Sequence, residues 1–331
     1  MSEKSNKVKI GVVGVGHLGK RHLFHLLDID SADCVGFYDI DPARSDEIRK
    51  ATGAKEFSSL EKLIQACEAL SIVVPTKDHF LVGEKCIKEG RHVFIEKPIC
   101  RTLEEADEII DLAKEKKVIT QVGHIERLNP ALLALDKIPI SPKYIETHRL
   151  APYNVRGTDV PVVLDLMIHD LDVILSLVKS PVTSVHASGV SIMTSSVDIA
   201  NARLRFKNGC VANITSSRIA TSYVRKLRIF QQDMYVTIDF LKGLTEIYRV
   251  LDANVKDTDA IVAAPLERNG MHRQIVYEKP PVRRVDSLRM EMKNFISSVQ
   301  GTTAPIVSGE EGREALRIAT IIQEKISQDL H

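Results

Sequence analysis

The sequence predicts an α/β protein of two domains, a parallel-sheet domain over residues 1–125 and an α+β domain over residues 126–331. Three observations predict it. A length of 331 residues is about two ordinary domains, each able to bury a core. Residues 8–122 alternate short β-branched runs with amphipathic stretches, as βαβ units do. Beyond Pro130 the runs alternate apolar and polar residues and are joined by short turns, as antiparallel strands are.

In the first domain, Val8–Val13, Cys34–Tyr38, Leu70–Val74, His92–Ile95 and Val118–Val122 are apolar runs of strand length, expected where helices cover both faces of a sheet. Helices are expected between and around them at Leu18–Leu27, Ala43–Thr52, Ser59–Ala66, Phe80–Lys88 and Leu103–Glu115. The last places Leu103, Ala106, Ile109, Ile110 and Ala113 at helical spacing, with Thr102 as N-cap and Glu104 and Glu105 in the first turn. In the second domain, Val162–Val178 reads as one apolar helix, followed by strands at Thr183–Val190, Ala202–Phe206, Cys210–Ser216, Lys226–Phe230 and Tyr235–Phe240. Lys207-Asn208-Gly209 between two of these predicts a hairpin with a type I′ turn. Leu251–Arg284 is polar with three prolines and reads as an irregular excursion. Helices at Ser287–Val299, stopped by Gly301, and at Glu310–Ile326 close the chain.

Composition narrows the partners. Lys plus Arg number 45 and Asp plus Glu 44, a formal charge of +1, so no field of one sign favours nucleic acid. The polar start and the short first apolar run predict neither a leader nor a membrane anchor, so the expected compartment is the cytoplasm. Val162–Val178 approaches spanning length but carries Asp165, His169, Asp170 and Asp172, too many ionisable groups for bilayer depth. Five cysteines, odd in number and without a Cys-x-x-Cys pair, read as reduced thiols.

Gly14-Val15-Gly16-His17-Leu18-Gly19 follows the first strand and opens a helix, the context that makes this glycine spacing a dinucleotide-binding turn of the Rossmann kind. Gly14 serves the tight turn, Gly16 lets backbone approach a pyrophosphate, and Gly19 allows close helix packing, with the phosphates on the helix N-terminus. Asp39 lies 20 residues after Gly19, at the end of the second strand, placed to accept from the adenosine ribose hydroxyls. Its charge favours NAD over NADP, a preference that Arg44 tempers. His17, His22 and His25 are spaced five and three apart with no completing ligand, so no metal site is expected.

Glu96-Lys97-Pro98 follows a parallel strand and is delivered to the sheet edge that binds the cofactor, whereas Glu278-Lys279-Pro280 follows no such strand. Asp165, His169 and Asp172 are four and three apart and share one face of a helix. A polar face on an apolar helix is either a satisfied core network or a catalytic constellation.

Together with Val74-Pro75-Thr76 and His79, with Gln121-Val122-Gly123-His124, and with Arg127, Asn129 and Pro130, these motifs make the chain resemble a family along nearly its whole length. It is the glucose-fructose oxidoreductase, inositol dehydrogenase and MocA family of sugar dehydrogenases. The resemblance implies NAD(P)-dependent oxidation of a sugar CH–OH and a second domain with an open, mainly antiparallel sheet that builds homodimers or homotetramers. It implies that Lys97 and His169 are the catalytic pair and that Asp165 orients His169 or a sugar hydroxyl. It places His17, Leu18, Pro75, Thr76, His79, Glu96, Lys97 and Gln121 with the glycines and Asp39 against the cofactor. It places Lys97, His124, Arg127, Asn129, Arg156, Asp165 and His169 against the substrate, and it calls for no metal. Arg127 and Arg156 either meet a diphosphate or are ordinary structural arginines.

Asp159-Val160-Pro161 and Met167 depart from the glycines common in that family. Residues 122–130, 153–160 and 163–170 are most similar to its branch of UDP-N-acetylglucosamine 3-dehydrogenases. The branch implies oxidation at the sugar C3, with a partner aminotransferase acting on the ketone in amino-sugar or lipid A synthesis. An inositol or free-sugar dehydrogenase is the alternative. A non-catalytic dinucleotide sensor is a third reading, and it has no use for Lys97, Asp165 and His169 together.

Overall fold

A computed structural model of the chain describes residues 7–154, 160–253, 261–268 and 271–329. The chain divides into two compact units, Met1–Leu128 with Asp286–Arg317 and Asn129–Val285 with Ile318–His331.

The first unit runs β1 (Val8–Val13), α1 (His17–Leu27), β2 (Ala32–Tyr38), α2 (Pro42–Thr52), α3 (Leu60–Ala66), β3 (Ala69–Ile72), α4 (Thr76–Lys88), β4 (His92–Glu96), α5 (Leu103–Lys116) and β5 (Thr120–Gly123). All five strands are parallel, in the order β2-β1-β3-β4-β5. The order reverses between β1 and β3, and the carboxyl edge at such a switch point is where doubly wound sheets bind ligands. Thr102 caps α5 through a full capping box with Glu105, and Asp41 caps α2 by accepting from Ala43 and Arg44 amides.

The second unit begins, after a 3₁₀ turn at Ile125–Leu128 that closes the first, with α6 (Pro130–Leu133) and β6 (Tyr144–Leu150). The predicted helix at Val162–Val178 divides in two: a π-turn at Val163–Met167 leads into α7 (Ile168–Val178). There follow β7 (Val182–Val190), β8 (Ile199–Phe206), β9 (Val211–Ser217), β10 (Val224–Gln231), β11 (Met234–Asp239), β12 (Leu244–Asp252), β13 (Ile261–Arg268) and β14 (Met271–Glu278). The nine strands lie in the order β13-β14-β12-β11-β10-β6-β9-β8-β7, antiparallel except where β6 runs beside β9.

One face of this sheet packs inward, as the alternating burial of β6 and β8 shows. The other carries Tyr144, Phe230, Tyr235, Tyr248 and Tyr277 from five strands in a continuous row, with successive ring centroids 5.7, 4.7, 5.9 and 5.1 Å apart. Rings so spaced attract one another as well as burying area.

Two expectations for this unit are corrected. Leu251–Arg284 is not an irregular excursion, since the end of β12 and the β13–β14 pair fall within it. Pro265 is tolerated because β13 is an edge strand, with a neighbour on one side only. The Lys207–Gly209 turn is not type I′: only Gly209 takes positive φ, 86°, while Gly209 N–H donates to Phe206 O. That is a three-residue loop with a bulge, and Asn208 instead uses its side-chain oxygen to accept the Cys210 amide.

The chain closes with α8 (Ser287–Val299) and α9 (Gly309–Asp329). Leu288, Met292, Phe295 and Ile296 of α8 pack in the first unit's core with Ile10, Leu23, Phe37 and Phe94. This burial is why residues 286–317 group with the first unit, in contrast to the continuous 126–331 domain that the sequence suggests. No helix among the described residues is long and apolar enough to cross a membrane.

Candidate active site

The glycine turn is built as its spacing implies. Gly14 takes φ +85°, and a Cβ there would stand 2.7 Å from Val73 O. A Cβ on Gly19 would lie 1.9 Å from Gly14 O, so the first turn of α1 rests on the loop backbone itself. Gly16 is different, because a Cβ there meets nothing within 4 Å. Gly16 caps α1 without a side-chain hydrogen bond, and His17 and Leu18 beside it are exposed. An open position, a bare backbone and a helix N-terminus together fit a pyrophosphate.

Asp39 holds this turn from the end of β2. One carboxylate oxygen accepts the Val15 amide at 2.8 Å and the other the Asp41 amide at 2.9 Å. The Arg44 guanidinium stands 3.4 Å from both oxygens, and the Asp39 side chain is only 3% exposed. Asp39 is therefore a strut of the glycine turn, and its carboxylate stands at the end of β2 with the Arg44 charge against it.

Pro75 and Thr76 start α4 after β3. His79 is buried, with Nδ1 2.8 Å from Pro98 O and Nε2 2.9 Å from Val74 O. It ties the segments after β3 and β4 together, and burial lowers its pKa although both carbonyls work the other way. Glu96 ends β4 and is buried, while Lys97 directly after it is half-buried. In contrast, Glu278 of the other Glu-Lys-Pro pairs with Arg249 on the second unit's sheet.

Several of the residues expected to touch ligands are packed within the protein's own structure. Gln121 is fully buried and its amide nitrogen donates to Glu291 O at 3.4 Å, which makes it a tie to α8. His124 is fully buried behind β5. The Arg127 guanidinium lies 3.2 Å from Glu311, with the arginine side chain 11% exposed. Asn129 caps α6, accepting from Ala131 and donating to Phe240 O. Arg156 lies outside the described residues.

In the second unit Asp165 and His169 are half-buried and Asp172 is buried. Asp165 sits in the π-turn, whose wider i→i+5 winding offsets it from the straight stripe that 165, 169 and 172 would form on one α-helix. Such single π-turns are frequent at functional sites.

Asp170 and Arg149 are missed by the sequence reading. Arg149 Nε and a terminal guanidinium nitrogen donate to the two Asp170 oxygens at 3.1 and 2.8 Å, with both side chains buried. This bidentate pair fastens α7 to β6 at the residue next to His169.

Similarity to known proteins agrees with this geometry. Residues 8–124 match the model of an oxidoreductase family with an NAD-binding Rossmann fold, GFO/IDH/MocA, and residues 149–236 match that family's C-terminal domain. The protein is thus an NAD-binding oxidoreductase. The chain belongs to the GFO/IDH/MocA family. It is 34% identical to the UDP-N-acetylglucosamine 3-dehydrogenase of Acidithiobacillus ferrooxidans over 94% of this chain and 95% of that one. A solved structure of the A. ferrooxidans enzyme superposes with a TM-score of 0.88 at 32% identity, covering 98% of this chain and 99% of the other. The myo-inositol 2-dehydrogenase of Thermotoga maritima is 26% identical over 97% of each chain. A role as a mere sensor is set aside, because the family is one of oxidoreductases and these two relatives are a nucleotide-sugar and an inositol dehydrogenase.

Proposed function

We propose that the protein oxidises the C3 hydroxyl of UDP-N-acetylglucosamine, giving a 3-keto sugar suited to an aminotransferase. The observation that carries this reading is the likeness to the A. ferrooxidans enzyme, 34% identical over 94% of the chain. Bound NAD would supply the hydride acceptor. His169 serves as the base for the C3 hydroxyl proton, and Asp165 orients His169 or a neighbouring sugar hydroxyl. Lys97 supplies the cation that polarises the oxygen as its charge develops.

The cofactor would be held by the Gly14, Gly16 and Gly19 turn with His17 and Leu18, by Asp39, and along Pro75, Thr76 and Glu96, with His79 bracing the segment behind. An inositol or free-sugar dehydrogenase is the second reading, favoured by the 26% identity to the T. maritima enzyme over 97% of the chain. The row of aromatics on the open sheet face supports assembly into homodimers or homotetramers through that sheet. The free cysteines, whose thiols burial pushes up to about 11 or 12, suit a reducing cytoplasm.

The test follows NAD reduction with UDP-N-acetylglucosamine, N-acetylglucosamine, myo-inositol and glucose, using a 3-aminotransferase with glutamate to draw off the ketone. The UDP sugar should be preferred, and removing the nucleotide should cost rate as well as affinity, because remote binding energy helps to hold C3 in place. Equal turnover of free N-acetylglucosamine or inositol would overturn the nucleotide-sugar assignment. Lys97→Ala and His169→Ala should each lower turnover by a factor on the order of a hundred while NAD still binds.

A further inference from the structure

Of the three histidines near the glycine turn, His22 faces inward from α1 and is completely buried. Its ring meets Phe94 edge-on, with centroids 5.5 Å apart. Nδ1 lies 2.9 Å from the Ser71 hydroxyl of β3, and Nε2 lies 3.2 Å from Glu96 Oε1 at the end of β4. The Nε2 approach is oblique, so its character is more electrostatic than that of an aligned hydrogen bond. The other oxygen, Glu96 Oε2, accepts the backbone N–H of Lys97 at 3.2 Å.

Gly123 of β5 completes the enclosure. A Cβ there would come within 2.8–3.0 Å of the Glu96 carboxyl group, so that group occupies the space a side chain would fill. The chemistry is consistent end to end. With the Ser71 hydroxyl beside Nδ1, the Nε2 edge of the ring is the one turned toward the Glu96 carboxylate.

We propose that His22 is a positioning residue for Lys97, acting through Glu96. His22 and Gly123 hold the Glu96 carboxylate in one place, and that carboxylate holds the Lys97 amide, so the segment presenting Lys97 is fixed from beneath by α1. The same helix carries the glycine turn at its N-terminus. Cofactor helix and lysine are thereby held in register by one buried contact. This inference rests on the role given to Lys97 above.

The experiment compares His22→Leu, which removes the contact, with His22→Gln, whose amide nitrogen can reach the place of Nε2. Ser71→Ala is added as a smaller change that tolerates less disruption of the core. Each variant is tested for NAD affinity, for kcat and KM with UDP-N-acetylglucosamine or the best sugar of the panel, and for hydrogen exchange of the Lys97 amide by NMR with isotope-labelled lysine.

His22→Leu should lower kcat about tenfold, the scale of one lost polar contact to a charged group, with KM and NAD affinity within about threefold of wild type. The Lys97 amide should exchange about tenfold faster, and His22→Gln should recover most of both. Should His22→Leu fail to fold, Ser71→Ala carries the test with the same direction and a smaller change.

Unaltered Lys97 exchange in the folded variants, or a His22→Gln as slow as His22→Leu, overturns the proposal. Lys97→Ala in parallel separates the two failures. If it turns over normally, the role of Lys97 is wrong. If it is inactive while His22→Leu is normal, only the role of His22 is wrong. The exchange measurement needs no substrate, so it stands even if the sugar proves to be another.

Discussion

Replacing Gly16 by alanine separates what the fold needs from what the cofactor needs. Gly16 has φ −63° and ψ −160°, a conformation open to any residue, and its Cβ would meet nothing within 4 Å. The methyl therefore costs the protein without ligand nothing, and the stiffer unfolded chain favours folding by about 0.4–1 kcal/mol. A pyrophosphate drawn to the bare N-terminus of α1 would meet the methyl instead of backbone. Losing one hydrogen bond to a charged group, about 1.5–3 kcal/mol, corresponds to a roughly ten- to hundredfold weaker NAD.

Gly19→Ala is the contrast, since its Cβ falls 1.9 Å from Gly14 O. Backbone must move to admit it, at a cost of about 1–3 kcal/mol before any ligand is added. Thermal unfolding without NAD, together with calorimetric titration of NAD, reads both quantities. Gly16→Ala should melt at or slightly above the wild-type temperature and bind NAD poorly, while Gly19→Ala should lose both. A Gly16→Ala protein that binds NAD as tightly as wild type would refute the placing of the phosphates on α1. One that melts well below wild type would show that Gly16 serves the fold.

Asp39→Ala should weaken NAD, narrow the gap to NADP and lower stability by about 1–3 kcal/mol, because the Val15 and Asp41 amides lose their acceptor. Titration of both cofactors checks this, and a wild type that already prefers NADP contradicts the reading. Arg149→Met should destabilise the second unit by about 3–5 kcal/mol by leaving Asp170 buried without its partner charge. Adding Asp170→Leu should restore most of that loss in denaturant unfolding, and no recovery would mean that the pair is not what holds α7 to β6.

What could be read from the sequence is what is local. The glycine turn and Asp39 sit within one βαβ unit, and their spacing is set by the length of one helix and one strand, so their meeting at the ends of the first two strands follows from position. Glu96 and Lys97 are legible for the same reason, being the last residue of a parallel strand and the first beyond it. Distance along the chain hides the rest. Arg149 and Asp170 are 21 residues apart on different elements, and Arg127 finds Glu311 across 184 residues, so neither pairing has a spacing to announce it. The π-turn at Asp165 leaves no mark in the pattern of apolar residues, since Val162–Val178 reads as helix whichever way it winds. Pro265 looks like a strand breaker until β13 is known to be an edge, and edge position belongs to the sheet, not to the segment.

His22 shows the boundary between the two kinds of information. Its place on the buried face of α1 follows from helical spacing, three residues after Gly19 and four before Leu26. Its partners do not, because Ser71 and Glu96 arrive from two other strands of the sheet. A buried polar side chain on a predicted helix face is thus a signal that partners exist without saying which, and here the fold supplies them next to the lysine assigned to the chemistry.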